Sequence, residues 1–81
     1  MRRYLYGSAT CAGQNVKYYF LVTPITEDLE EYGICVDTEE EYIEILSLSI
    51  SWKRVERILS QLLNGCVTPV TAFDVVEDLI V

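Results

Sequence analysis

The sequence predicts an α+β domain: a four-stranded antiparallel sheet, joined as a meander, followed by two C-terminal helices packed on one face. Three observations lead there. Runs rich in Tyr, Val, Ile and Leu alternate in the first half of the chain, the period-two pattern of strands. The second half changes to apolar residues three and four apart, the spacing of a helix that buries one side. The links between runs are short, which favours antiparallel hairpins over parallel crossovers.

Residues 3–9 (RYLYGSA) and 16–23 (VKYYFLVT) are the first two strands. Cys11-Ala12-Gly13-Gln14-Asn15 between them reads as a hairpin with a longer loop. In the second run Val16, Tyr18, Phe20 and Val22 form the better core face, with Lys17, Tyr19, Leu21 and Thr23 opposite. Pro24 stops the strand because it cannot donate to a ladder. Residues 31–37 place Tyr32, Ile34 and Val36 inward and Glu31, Gly33, Cys35 and Asp37 on a wet face. Thr38-Glu39-Glu40 is the turn into residues 41–48. There Ile43 and Ile45 oppose Tyr42, Glu44 and Leu46, and alternation alone leaves open which set faces inward.

The helices are specified more sharply. Ser51 is the N-cap, with Ile50 placed to staple onto Val55. Val55, Ile58, Leu59, Leu62 and Leu63 make the core stripe, and Asn64-Gly65 offers a left-handed ending. Thr68-Pro69 restarts a helix, with Pro at the first position, where its missing N–H does no harm. Its apolar arc is Ala72, Phe73, Val75, Val76, Leu79 and Ile80. Leu59, Leu62 and Phe73 fall at the stripe centres, so truncating any of them is expected to cost about 2–5 kcal/mol.

Eighty-one residues make a single domain, 1–81. An apolar fraction of 51% against 23% charged excludes a disordered chain. A net charge of −7 argues against direct binding of nucleic-acid phosphates. There is no His, hence neither the usual neutral-pH base nor the commonest metal ligand. Cys11, Cys35 and Cys66 are odd in number and far apart, which reads as three reduced, buried thiols in a reducing compartment without zinc. No secretory leader and no run of 18 apolar residues is present, so no membrane role and a cytoplasmic location are expected.

Charge is distributed unevenly. Residues 27–44 hold nine acids and no base. The bland reading is a solvated face that keeps a small protein soluble. The functional reading is an anionic ridge that meets a basic surface on a protein partner. A sharper version is mimicry of a nucleic acid. The candidate interaction surface is Glu27, Asp28, Glu30, Glu31, Glu39, Glu40, Glu41 and Glu44, together with Tyr19. Tyr19, Leu21 and a Tyr of the first strand could share a sheet face that binds a partner or forms a homodimer.

No catalytic, cofactor or metal residue is assigned. The serines lack a His, the carboxylates lack an environment that would split their pKa values, and the four Gly are isolated. The expected role is a non-catalytic protein-interaction or regulatory module. The alternative is an acidic nucleic-acid mimic, of phage or mobile-element type, that blocks a basic cleft.

Tyr32-Gly33-Ile34, the Ser-capped helix ending at Asn64-Gly65, and Pro69 followed by Asp74-Val75-Val76-Glu77-Asp78-Leu79 carry a resemblance. Over roughly residues 30–80 the chain resembles a family of small uncharacterised bacterial proteins, chiefly of clostridial type. Those proteins share a YGI strand and a C-terminal P…DV(I/V)ED(F/L) helix. The resemblance implies a bacterial origin and a shared fold, and it carries over no site residue.

Overall fold

The computed structural model describes residues 1–80. Four strands, β1 (Arg2–Cys11), β2 (Gln14–Pro24), β3 (Glu30–Asp37) and β4 (Tyr42–Ser49), precede two helices, α1 (Trp52–Asn64) and α2 (Pro69–Ile80). The sheet is an antiparallel meander in the order β1-β2-β3-β4. Both helices pack on one side of it, α1 against all four strands and α2 against β3 and β4. The α+β architecture is therefore as the residue patterns predict.

The core lies between the sheet and α1. Val16, Tyr18, Ile34 and Val36 from the sheet meet Val55, Ile58, Leu59 and Leu62 from α1 and Ala72 and Val76 from α2. Ile43 and Ile45 join this core, so the inward set of β4 is the isoleucine pair. Tyr18 is fully buried, and its hydroxyl donates to the Val67 carbonyl at 2.7 Å. That bond ties the middle of the sheet to the link between the helices and satisfies both polar groups.

Several local expectations change. The first hairpin closes in two residues, because Cys11 pairs with Gln14. Ala12 and Gly13 both have positive φ, 51° and 82°, the geometry that matches strand twist in a two-residue turn. The Ser51 hydroxyl caps nothing, and Ile50 is exposed rather than stapled. Gly65 is not left-handed at φ −91°; the left-handed residue is Cys66 at φ 51°. Phe73 is exposed, with Val70 and Ile80, because α2 turns only Ala72 and Val76 fully into the core. Truncating Phe73 therefore should not carry a core penalty, whereas Leu59 and Leu62 are fully buried as expected.

The thiol reading is corrected too. Cys11 and Cys66 are joined by a disulfide, with Cα atoms 5.7 Å apart across a sequence separation of 55. The end of β1 lies beside the link between α1 and α2, which sequence distance conceals. Only Cys35 is free. An odd count of thiols therefore gives no argument for a reducing compartment. Among the described residues no helix is long and apolar enough to cross a membrane.

Two bulges shape the sheet. In β1, Leu5 pairs with Tyr19 and Gly7 with Tyr18, so Tyr6 is the extra residue. In β4, Tyr32 pairs with Ser49 but Ile34 pairs with Ile45, leaving Leu46, Ser47 and Leu48 opposite Gly33. Ser47 takes φ 57° to make this bend. A side chain on Gly33 would overlap the Ile45 carbonyl oxygen and lie 3.0 Å from the Leu46 Cα. The β4 backbone thus curls over the sheet face away from the helices, and only a residue without Cβ lets it in.

Candidate functional site

Apart from the β4 bulge that curls over Gly33, the sheet face opposite the helices has no element of the described chain packed on it. Pairing fixes its rows. Leu5, Tyr19, Cys35 and Glu44 form one row across the four strands, and Ser8, Lys17, Asp37 and Tyr42 form the next. On the other side of the first row, Arg3 pairs with Leu21 and Leu21 with Gly33, beside the curled Leu46. The Arg3 guanidinium lies 4.1 Å from the Tyr19 ring centre, a cation–π contact that covers part of the ring.

This face is divided by both polarity and charge. Leu21 and Cys35 are fully enclosed at its centre, a correction to the wet face expected for β3. Around them Leu5, Tyr42 and Leu46 are 58%, 57% and 49% exposed. The bases Arg3 and Lys17 stand on β1 and β2, and the acids Glu31, Asp37 and Glu44 stand on β3 and β4. Burial pushes the Cys35 thiol up to about 11, with Arg3 pulling it down and Asp37 and Glu44 pushing it up. The Tyr42 phenol is raised, chiefly by the neighbouring Glu44 carboxylate.

A thiol held at about 11 is protonated and unreactive at neutral pH. Because its folded value exceeds the ordinary 9.0, its contribution to stability is complete below pH 9 and is lost as pH rises toward 11. Wild type should accordingly lose thermal stability from pH 9 to 11 more steeply than Cys35→Ala does. Equal slopes in melting temperature over that range would refute the assignment.

The acidic residues do not form one ridge. Glu27 and Asp28 lie in the β2–β3 turn, with Glu30 and Glu31 opening β3. Glu30 pairs with Arg2. Glu39, Glu40 and Glu41 lie in the β3–β4 turn, at the opposite end of the sheet. The eight-residue strand β3 separates the two groups, roughly 25 Å at about 3.3 Å per residue. Of the expected surface, only Glu31, Glu44 and Tyr19 share the uncovered face. Tyr4 and Tyr6 are directed toward the helix side, where they line a small cleft with Phe20 and Trp52. The first-strand residues beside Tyr19 are Arg3 and Leu5 instead.

A cleft of about 350 Å³ lies between α1, the end of β4 and the end of α2, lined by Arg54, Arg57, Gln61, Ser49 and four apolar side chains. Its two guanidinium groups could hold an anion, yet it contains no base and no activated nucleophile. Among the described residues no group of three or more Cys, Asp or Glu is placed to hold a metal ion.

One family model matches residues 6–81, and its description is "Family of unknown function (DUF6514)". The chain belongs to that family. The match includes all four strands, omitting only the first residues of β1, and both helices, so the DUF6514 pattern describes the whole meander-plus-helices unit. Membership of an uncharacterised family is what the resemblance implies. No curated protein and no solved structure matches the chain.

Leu5, Arg3, Lys17, Tyr42 and Leu46 are the members of this DUF6514 face that sequence reasoning did not single out. Alternation around Tyr19 and Leu21 was the available signal for Lys17. The β1 bulge breaks that alternation at Tyr6, which hid Arg3 and Leu5, and alternation in β4 placed Tyr42 and Leu46 opposite Ile43 and Ile45 but left open which set faces inward.

Proposed function

We propose that this protein is a non-catalytic interaction module whose contact surface is the sheet face opposite the helices. The observation that carries the reading is a set of exposed apolar side chains, Leu5, Tyr42 and Leu46, on a face with bases on one pair of strands and acids on the other and no helix of the described chain packed on it. Antiparallel sheets tolerate one solvated face, but such a face is ordinarily polar. Here Leu5 at one edge of the face and Tyr42 and Leu46 at the other stand exposed, and exposed apolar side chains among charges mark interaction sites. The acidic clusters support the reading less, because they lie at the two ends of the sheet.

A comparison of baits tests this. Wild-type protein, Leu46→Asp, and the triple variant Glu39→Lys, Glu40→Lys, Glu41→Lys are each used to capture proteins from the native cell. The face reading expects Leu46→Asp to lose what wild type retains and the triple variant to keep it. A bait that survives Leu46→Asp but fails with the reversed acids would move the function to the β3–β4 turn and revive nucleic-acid mimicry.

A further inference from the structure

We infer that the partner of the uncovered sheet face is a second copy of this chain, stacked face to face about a twofold axis that runs parallel to the strands between β2 and β3. The inference rests on the interaction reading above and names its occupant. Rotation about such an axis reverses strand order across the interface without shifting position along the strands. It lays β1 of one copy over β4 of the other and β2 over β3. Bases then meet acids at two symmetry-related contacts, where Lys17 of each copy lies over the row position of the other copy's Asp37, while Arg3 is carried over the β4 bulge at Leu46, one row from Glu44.

The orientation is selected by charge. An axis across the strands would lay β1 over β1, bringing Arg3 toward Arg3 and the acids of β3 and β4 toward one another, and like charges in contact cost several kcal/mol. With the axis along the strands, the same surface is complementary to itself, which is what an isologous dimer requires. Apolar groups follow suit. Tyr19 stands over the row position of Cys35, and the curled Leu46 rises over the β1 position near Arg3 and Leu5. The bulge is therefore placed over the pair of strands that carries no such ridge on this face. Two sheets stacked this way cover one another's exposed Leu5 and Leu46 side chains as in a β-sandwich, with aligned strands.

The exposed apolar groups of α2 lack bases on their own helix. Val70, Phe73 and Ile80 of α2 are exposed, but α2 carries only acids, Asp74, Glu77 and Asp78, and no base to pair with them in a second copy.

Sedimentation equilibrium from about 1 μM to about 1 mM supplies the test, with Lys17→Glu and Asp37→Lys measured separately and mixed. Wild type is expected to dimerise, more weakly in about 0.5 M salt. Each single variant should bind itself at least tenfold more weakly, since each places like charges in register. Their equimolar mixture should recover wild-type affinity, because only the heterodimer restores opposite charges at both contacts. There the new glutamate of one chain faces the new lysine of the other, and the remaining Lys17 faces the remaining Asp37. Within either chain the two positions still carry like charges, so recovery cannot arise inside one subunit. Leu46→Asp, with an unchanged melting temperature, should be monomeric.

A wild type that remains monomeric to about 1 mM overturns the inference, as does a dimer untouched by Leu46→Asp or a mixture that shows no recovery. If the homodimer fails while Leu46→Asp still abolishes capture of another protein, the face remains an interaction surface with a different occupant. If both fail, the face has no such role.

Discussion

Gly33→Ala is expected to lower the unfolding free energy by about 3 kcal/mol or more, at the upper end of what overpacking does. The added methyl would overlap the Ile45 carbonyl oxygen and crowd the Leu46 Cα, and both are backbone atoms. A flexible side chain could swing aside, but here the whole β4 bulge would have to lift. Lifting it breaks the pairing that resumes at Ser49 and uncovers Leu21, the Gly33 pairing partner. For a domain of this length such a loss is a large share of total stability and lowers the melting temperature by roughly 10–20 °C. Gly13→Ala is the control. That glycine has φ 82° but open space around it, so its substitution costs only the left-handed backbone penalty of about 1 kcal/mol. If thermal melts place the two variants together, the β4 backbone does not lie over Gly33.

Opening the Cys11–Cys66 bridge is the second large effect. The bond closes a loop of 55 residues, for which chain entropy alone predicts about 4 kcal/mol, with typical measured values of about 2–4 kcal/mol. It fastens the first hairpin to the link between the helices, where Tyr18 also holds the Val67 carbonyl. Reduction, or the pair Cys11→Ser and Cys66→Ser, should therefore lower the denaturant midpoint substantially without changing the overall fold. Alkylation of unreduced, unfolded protein should label Cys35 only, and labelling after reduction should reach all three thiols. Three labels without reductant would contradict the bridge.

Element type and order were legible because period-two and helical spacing are both strong here. Val16, Tyr18, Phe20 and Val22 face the helices as their alternation requires, and Val55, Ile58, Leu59 and Leu62 form the stripe that covers them. What alternation could not reveal came from departures from it. The extra residue at Tyr6 turns Tyr4 and Tyr6 toward the helix side, and the two-residue excess in β4 carries Leu46 over Gly33. Phe73 was misplaced because α2 lies against α1 and the β3–β4 side of the sheet only: Ala72, Val75, Val76 and Leu79 reach the core, and Phe73 and Ile80 at the edge of the arc stay exposed. The disulfide needed the third dimension: nothing in the spacing of Cys11 and Cys66 brings a hairpin end to a helix link. The acid run was plain in the sequence, but its division between two ends of the sheet follows from strand pairing.

The uncovered sheet face is the centre of this account, and amide chemical shifts followed across a concentration series test it most directly. On going from about 10 μM to about 1 mM, progressive shifts are expected for Arg3, Leu5, Lys17, Tyr19, Asp37, Glu44 and Leu46, while the exposed amides of α2 around Val70 and Phe73 stay fixed. Shifts confined to α2, or a spectrum that does not change over that range, would contradict it.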